Sequence, residues 1–328
     1  MSLSCDKEKK RPLVSILIPM HNAQEYICDT LESCLAQSWK KLEIVVVDDG
    51  SEDAGVELVR GYCRKFPNIR LYRQKQSGAP RARNLAFEKC RGEYIQYLDA
   101  DDLLSENKIE AQMRLFEKYG NEIVCSSKFS YFKKSPQDAK AVRQRIDRSY
   151  DSGLDWLVDA WSGGGFGVVM GWLTHRSLIE KAGPWNETLL KNQDGEFFCR
   201  VLLEARKVIL SEDTMVYYRR SGEHSISSVR RRSAAVSTLE SLKLYEKHTE
   251  GLEHPGLRQA LATTFLNFII NYYPAFEELR KEAEREIERL GFDRYTLPFP
   301  GRLSYLSRIV GYHNVVKLKY LISLYRRG

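Results

Sequence analysis

Glycine is missing at the place where a dinucleotide-binding fold needs it. The first apolar run of this 328-residue chain is LVSILIPM, and residues 18 to 25, IPMHNAQE, contain no glycine. In dinucleotide-dependent oxidoreductases a GxGxxG turn after the first strand lets the backbone approach a pyrophosphate, so its absence excludes that class. The first loop is also neither glycine-rich nor basic, which excludes a sugar-phosphate nucleotidyltransferase.

Long apolar runs and paired cysteines are missing too. LVSILIPM is too short to cross a membrane, and no cleavage-site pattern follows it, so we expect a cytoplasmic protein without a signal peptide. The seven cysteines form no CxxC pair, and we expect reduced thiols that mostly fill the core.

Acidic residues are absent from the C-terminal tail. From Arg294 to the end there are seven Lys or Arg and no Asp or Glu, and the 44 other basic residues balance the 44 acidic ones. The net charge of +7 therefore lies in the tail. A nucleic-acid-binding protein would spread basic residues over a binding face, so we expect no nucleic-acid partner.

What the sequence does contain is an alternation of strand and helix patterns, which predicts an α/β fold with a mostly parallel sheet flanked by helices. A polar, basic segment at 133–150 is predicted to be a mobile loop, and only helices are predicted after about residue 230. The predicted strands cover residues 13–19, 42–51, 68–74, 93–102, 123–132, 166–175 and 214–220, and helices are predicted around 27–35 and over 52–66, 78–92, 105–120 and 194–205.

Polar residues collect at the ends of the first four predicted strands. PMHN ends the first, DDGS ends the second, GAPRARN follows the third and DADD ends the fourth. In open α/β sheets ligands bind at the carboxyl ends of the strands. We therefore expect these four segments to meet at one ligand-binding crevice.

The DADD segment suggests a metal. Asp99 and Asp101 are two residues apart on an extended chain, so their carboxylates face the same way. Such a pair favours Mg²⁺ or Mn²⁺, which usually completes its shell with water and ligand phosphates. The alternative is a solvated acidic turn that caps the helix beginning near Ser105.

Basic and acidic residues nearby fit a nucleotide. Arg81 and Arg83 oppose the dipole in the first turn of a helix, which a bound phosphate would explain, although an Arg–Asp pair is an equal and compatible interpretation. Asp48 and Asp49 could accept hydrogen bonds from a base or ribose, or could form an Asx-type turn before Gly50.

These segments resemble a known family. VSILIPMHNAQEYI, EIVVVDDGSED, GAPRARNLAF, EYIQYLDADD and GPWNETLLKNQDGEFFCRVL look like the successive blocks of family 2 glycosyltransferases, over residues 13 to about 228. The resemblance implies the A-type glycosyltransferase fold in a catalytic domain at 1–228. Its nucleotide-binding half would cover about 1–125 and its acceptor-binding half about 126–228, followed by an α-helical extension at 229–328.

The resemblance also implies roles for the donor-site residues. Asp48 would contact the base, Arg83 would reach the nucleotide or its diphosphate, and Asp99 and Asp101 would bind the metal and ribose, with Asp101 the preferred metal ligand. His224 matches a histidine that relatives place near the diphosphate and is a candidate metal ligand. The block that lines the nucleotide pocket is matched by Pro19, His21, Asn22 and Glu25.

Asp194 matches the catalytic base of the family. The usual Glu-Asp pair is Gln193-Asp194 here, which leaves Asp194 as the only candidate base, and His21 replaces the usual Tyr or Phe. Because Asp194 opens a helix, we expect its pKa to be lowered and the carboxylate to stay ionised. A plain helix cap is the alternative role for Asp194.

The resemblance thus implies a metal-dependent inverting hexosyl- or N-acetylhexosaminyltransferase. A UDP-linked donor and a glycan or lipid-linked glycan acceptor in bacterial surface polysaccharide synthesis are expected. Trp172 and Trp185 could stack on an acceptor sugar or lie in the core, and SGGGFG at 162–167 is predicted to be a flexible loop with close backbone approach. A non-catalytic nucleotide-sugar or carbohydrate-binding module remains the alternative because of Gln193.

The basic tail has two interpretations. Residues 302–327 mix apolar and basic side chains without an acid, which suits the inner face of an anionic membrane. The apolar positions nevertheless go nearly all round a helical wheel. The alternative is a terminal helix that packs on residues 230–290, with Lys and Arg stems covering its edge.

Overall fold

The computed structural model describes residues 11–220, 231–293, 297 and 304–325. Within these residues nine strands form one mixed sheet in the spatial order β3-β2-β1-β4-β8-β6-β9-β5, with β7 paired to β6. The strands are β1 (Val14–Met20), β2 (Leu42–Asp49), β3 (Ile69–Gln74), β4 (Tyr94–Tyr97), β5 (Leu103–Leu104), β6 (Ile123–Phe132), β7 (Lys140–Ala141), β8 (Leu173–His175) and β9 (Lys207–Arg219).

Helices cover the sheet and continue beyond it. The helices of the described residues are α1 (Ile27–Leu35), α2 (Gly55–Lys65), α3 (Ala79–Lys89), α4 (Lys108–Tyr119), α5 (Gly153–Asp159), α6 (Arg176–Ala182), α7 (Gln193–Leu203), α8 (Arg232–His248), α9 (Leu257–Tyr272), α10 (Glu277–Arg289) and α11 (Ser304–Tyr325).

The first half of the sheet is parallel, as predicted. Strands β3, β2, β1 and β4 pair in parallel, and every residue of β1 and β2 is buried. Successive side chains point to opposite faces, so Ile16 and Ile18 join one core and Leu17 joins the other. Apolar residues at every position are what a sheet covered by helices on both faces needs.

The second half of the sheet is mixed and departs from the predicted elements. The strand predicted at 166–175 is a 3₁₀ turn at Val169–Gly171 followed by the short β8, because the backbone of Gly167 packs on the Trp172 ring, where a Cβ would overlap it. β9 begins at Lys207, seven residues before the predicted start at 214.

The segment predicted to be a mobile loop contains regular structure. It has a 3₁₀ turn at Pro136–Asp138 and contributes β7 to the sheet. Near its end Tyr150 forms an antiparallel bridge with Val208, and the Tyr150 hydroxyl donates a hydrogen bond to Asp159 at 2.5 Å. These contacts pair the segment with the sheet even though its sequence is polar.

The C-terminal helices share a core with the sheet. Leu239 of α8 and Phe265 of α9 belong to the same apolar cluster as Phe197 of α7. In α11, Tyr312, Val315 and Val316 are buried in this cluster as well. The helices after residue 231 are therefore packed on the preceding α/β part of the chain.

Contacts of α11 support the packed-tail interpretation. The rings of Tyr320 and Tyr273 meet at 5.4 Å, and His313 lies 3.4 Å from Glu284 of α10. Gly311, at φ 74°, breaks the helix and lets its two parts take different directions. Among the described helices, none combines the length and the apolar character that crossing a bilayer requires.

Candidate functional site

The four polar segments predicted at the strand ends do contact one another, through the pairs His21–Asp49, Asp49–Gly78 and Arg83–Asp99. Pro19 is buried within β1, and the residues after the strand turn outwards, so that His21, Asn22 and Glu25 are exposed. Asn22 has φ 48°, a left-handed conformation that Asn tolerates, and its side-chain oxygen accepts a hydrogen bond from the Glu52 amide at 2.9 Å. This turn presents polar side chains beside the ends of β1 and β2.

Asp48 and Asp49, at the end of β2, hold neighbouring loops in place through hydrogen bonds. The Asp48 carboxylate is fully buried, accepts the Ser51 amide at 3.1 Å and pairs with Arg73 at 3.0 Å. The Asx-type alternative thus describes Asp48, which has no exposed surface for a base in this conformation. Asp49 accepts hydrogen bonds from the Ser77 amide at 2.7 Å and the Gly78 amide at 2.8 Å, and so fixes the turn into α3.

Arg83 connects the first turn of α3 to the acidic segment that ends in Asp102. Its guanidinium lies 2.6 Å from the Asp99 carboxylate, which confirms the predicted Arg–Asp pair. Arg83 is only 4% exposed, yet its Nε and Nη1 have no hydrogen-bond partner within the described part of the chain. Buried donors are rarely left unpaired, so these two are suited to the oxygens of a bound anion.

The carboxylate of Asp101 also lacks a partner among the described residues. It is partly buried and forms no hydrogen bond or ion pair with another described residue. Burial, together with the nearby Asp99 carboxylate, raises the pKa of Asp101 to about 6. A cation between the two carboxylates would supply the missing positive charge.

Arg219, at the end of β9, holds the acidic turn in shape. It donates to the main-chain oxygen of Asp101 at 2.7 Å and pairs with Asp29 at 3.0 Å, and its amide donates to Asp102 at 2.8 Å. The pKa of Asp102 is well above its usual range because the group is buried beside Asp101 and Asp99. The guanidinium therefore fixes the turn without contacting the Asp101 carboxylate.

Asp99 and Asp101 could supply only part of the ligands of a bound metal ion. Within the described ranges no group of three or more His, Cys, Asp or Glu side chains is arranged to hold an ion. Asp99 and Asp101 are two oxygen donors, which suits an ion that keeps water and phosphate ligands. His224, predicted as a further ligand, lies outside the described residues.

Asp194 lies in the first turn of α7, across the crevice from Arg83. The preceding Asn192 is left-handed, with φ 59°, and starts the helix abruptly. Burial raises the pKa of Asp194, Asp99 raises it as well, and the Arg83 guanidinium and the Gly195 amide lower it in part. The expected lowering at a helix N-terminus is therefore wrong in its net direction, because desolvation outweighs the helix dipole.

A cavity of about 900 Å³ connects these groups to the C-terminal helices. Its lining includes Arg83, Asp99 and Asp194 as well as residues of α8 and α9. Residues of α8 and α9 that line the cavity are Thr238, Leu242, Tyr245, Thr264, Asn267, Phe268, Asn271 and Tyr272.

Comparison with known sequences identifies the family. The family profile described as "Glycosyl transferase family 2" matches residues 15–183, more than half of the chain. The chain belongs to glycosyltransferase family 2. It is 30% identical over 230 residues to an uncharacterized glycosyltransferase of Haemophilus influenzae, a match that covers 68% of this chain and 85% of that protein. It is 34% identical to the putative teichuronic acid biosynthesis glycosyltransferase TuaG of Bacillus subtilis, over 44% of this chain and 58% of TuaG.

Solved structures agree with the fold expected of a family 2 glycosyltransferase. Staphylococcus aureus TarS 1–349 in complex with UDP-GlcNAc superposes with a TM-score of 0.72 and 19% identity, covering 95% of this chain and 92% of TarS 1–349. The mannosyltransferase PcManGT of Pyrobaculum calidifontis, in complex with GDP-Man and Mn²⁺, superposes with a TM-score of 0.58 and 18% identity. The match covers 86% of this chain and 76% of PcManGT. The predicted A-type glycosyltransferase fold is confirmed.

The two tryptophans predicted for the acceptor differ in position. The Trp185 ring lies between the Arg83 guanidinium, 4.5 Å from its centroid, and the parallel Phe197 ring, 4.0 Å away. Both faces of Trp185 are covered, so it belongs to the core and supports Arg83. Trp172 is buried too, but it lines the cavity.

Several contacts around the candidate site of this glycosyltransferase were missed by sequence reasoning. Glu187 pairs with Arg81 at 2.9 Å and accepts a hydrogen bond from Asn84, so it holds two residues at the start of α3. Arg219 and the α9 wall were missed as well. The only sequence signals for the first two were the acidic residue in NETLL and the arginines at the end of the strand predicted at 214–220.

Proposed function

We propose that this chain is a metal-dependent inverting glycosyltransferase with a UDP-linked donor. It would transfer a hexosyl or N-acetylhexosaminyl group to a hydroxyl of a glycan or lipid-linked glycan in bacterial surface polysaccharide synthesis. Two features on one cavity support this proposal, the Arg83–Asp99 pair and the candidate base Asp194. The unpaired Asp101 lies two residues from Asp99 in the same acidic segment.

Charge and geometry suggest how the transfer proceeds. The acceptor oxygen forms a bond to the anomeric carbon while the bond from that carbon to the diphosphate breaks, and its electron pair leaves with the diphosphate. Asp194 takes the acceptor's proton as general base. The unpaired Arg83 donors would receive charge on the leaving group. Attack opposite the departing diphosphate inverts the configuration.

Asp101 and Asp99 would hold the metal. Mn²⁺ or Mg²⁺ bound there supplies positive charge near the diphosphate. The Mn²⁺ in the PcManGT complex supports a divalent ion for a structural neighbour, and the orphaned Asp101 carboxylate supports it for this chain.

The remaining predicted residues have complementary places. The exposed His21, Asn22 and Glu25 are available to a nucleoside at the end of β1. Trp172 would line the acceptor part of the cavity. The UDP-GlcNAc in the TarS complex supports a UDP-linked N-acetylhexosamine as the first donor to test, and the TuaG relationship supports a polysaccharide product.

Sugar transfer itself is the decisive measurement. A panel of nucleotide sugars should be screened with Mn²⁺ for slow hydrolysis, and the active donor then assayed for a mass increase in oligosaccharide acceptors. We expect turnover of one UDP-sugar. A protein that binds the donor tightly but never breaks its glycosyl–phosphate bond would instead be the non-catalytic binding module suggested by Gln193.

We also propose that α11 attaches the protein to the cytoplasmic face of an anionic membrane. One side of α11 packs into the core through Val315 and Val316, while Tyr305, Ile309 and Leu321 on its other surfaces are 75%, 63% and 60% exposed. Exposed Lys317 and the acid-free sequence after residue 293 add positive charge to this surface. Apolar and basic groups together favour an anionic interface.

Vesicle binding tests the attachment. The full chain should co-sediment with vesicles containing anionic phosphatidylglycerol at low salt and be released at high salt. Ile309→Glu with Leu321→Glu should abolish sedimentation, and Gln259→Glu, a charge added on the exposed side of α9, should leave it unchanged. Sedimentation of the α11 double variant equal to that of the unaltered chain would show that the tail is only structural.

A further inference from the structure

One wall of the cavity that Asp194 also lines is built by α9, which lies outside the family-matched residues 15–183. α9 is otherwise a buried helix: Phe265, Leu266 and Ile269 are each no more than 1% exposed. Asn271 on the cavity side is exposed and Asn267 is half-buried. A polar stripe on a core helix therefore faces the cavity.

Thr264, Asn267 and Asn271 form this stripe. Their spacing of three and four residues places them on one side of the helix. Neither Asn267 nor Asn271 has a hydrogen-bond partner for its side-chain amide among the residues that the structure describes. An amide offers two donors and one acceptor oxygen without a charge, which matches neutral hydroxyl groups.

Aromatic rings line the same cavity. Trp161 stacks on Tyr245 with centroids 4.8 Å apart, and Phe268 and Tyr272 of α9 meet at 4.7 Å. Lys191, which also lines the cavity, has its ammonium 5.8 Å from the centroid of the Tyr272 ring. Apolar rings with a few convergent neutral polar groups are typical of a small-molecule site.

The cavity has room for more than the transferred sugar. Arg83, Asp99 and Asp194 line it together with α9, and its volume of about 900 Å³ is near the upper end of the usual range for ligand sites. The unpaired donors of Arg83 suit the charged diphosphate, whereas the neutral side chains of α9 suit a part of the acceptor.

We infer that α9 provides an acceptor subsite for a neutral, hydroxyl-rich glycosyl residue, bound through Asn267 and Asn271 against the nearby aromatic rings. This inference rests on the proposed function, because an acceptor is needed only if the chain transfers a sugar. It assigns part of the helical extension to substrate recognition.

Ligand-observed NMR on the full chain, loaded with UDP and Mn²⁺, tests the subsite. The probes are methyl glycosides of neutral hexoses and N-acetylhexosamines, with glycerol phosphate and an alkyl maltoside as anionic and apolar-tailed comparisons. We expect at least one neutral methyl glycoside to bind, and Asn267→Leu with Asn271→Leu to weaken that binding at least about tenfold, as loss of one or two hydrogen bonds predicts.

Gln259→Leu is the matched control, since it removes an exposed amide from α9 outside the cavity. UDP affinity should be the same in all variants, which also shows that they are folded; if the double variant does not fold, the exposed Asn271→Leu alone is used. Absence of neutral-glycoside binding, or equal binding by the α9 variant, overturns the subsite. Failure of the unaltered chain to bind UDP overturns the proposed function instead.

Discussion

The regions proposed for the donor and the acceptor are built in different ways. In the proposed donor region, His21, Asp49 and Asp99 each lie at or just beyond the end of a strand in the parallel part of the sheet. In the proposed acceptor region, Asp194 of α7 and Asn267 of α9 are more than seventy residues apart in the chain. Parallel topology alone gathers the donor groups, whereas only helix packing gathers the acceptor groups.

This difference has an electrostatic counterpart. The proposed donor region combines a buried arginine with the carboxylates of Asp101 and Asp102, whose pKa values are raised by burial and by neighbouring carboxylates. The side chains of α8 and α9 that line the cavity carry no charge. Changes in the donor region should therefore affect the chemistry strongly, and changes in the acceptor region should affect recognition more mildly.

Loss of the metal carboxylate should have the largest effect. Asp101→Ala should abolish transfer while the protein stays folded, because only Asp99 would remain to hold the ion. The measurement is activity as a function of Mn²⁺ concentration, with and without chelator. The control is Asp213→Ala, which removes an exposed carboxylate within β9. Full activity in excess chelator would contradict a metal-dependent donor region.

Removing the base should have the next largest effect. Asp194→Asn keeps the shape of the side chain and removes the proton acceptor, so transfer should fall roughly 10²–10⁴-fold. Donor affinity, measured by calorimetry, should barely change. Asp155→Asn alters another first-turn acid, in α5, outside the cavity and should keep its activity. An equal loss of donor affinity in Asp194→Asn would move Asp194 to the nucleotide-binding region.

Arg219 tests whether the second half of the sheet supports the donor region. Arg219→Leu removes the charged hydrogen bonds to Asp101 and Asp29, each worth about 1.5–3 kcal/mol. We expect the Mn²⁺ concentration for half-maximal activity to rise at least about tenfold. Arg219→Lys should show a smaller rise in this concentration. Arg114→Leu, which removes an exposed ion pair, should show none. An unchanged metal requirement would mean that the turn keeps its shape without β9.

The pH dependence should show the smallest change. A base must be ionised, so activity should be lost as pH falls through the raised pKa of Asp194, above its ordinary value of 3.8. Because the Arg83 guanidinium lowers this pKa, Arg83→Gln should move the acid limb of the kcat profile to still higher pH. An acid limb at or below pH 3.8 would show that desolvation does not control the base.

Much of the donor region could be predicted because it depends on local patterns. Continuous apolar runs identify β1 and β2, and the polar residues at their ends identify the crevice. The Arg83–Asp99 pair was predictable because the segments that follow β3 and β4 both lie at the carboxyl edge of the sheet. The role of Asp48 was less predictable, since its burial depends on Arg73 from the neighbouring strand.

The amino-acid sequence by itself determined the strand–helix alternation, the family blocks from Val14 onward and the chemical types of the donor-site groups. These properties depend on periodicity and on residues close together in the chain. Tertiary structure alone decided that Trp185 supports Arg83, that Asp194 has a raised pKa and that α9 faces the cavity. Burial and cavity shape arise from long-range packing, which local residue patterns do not encode.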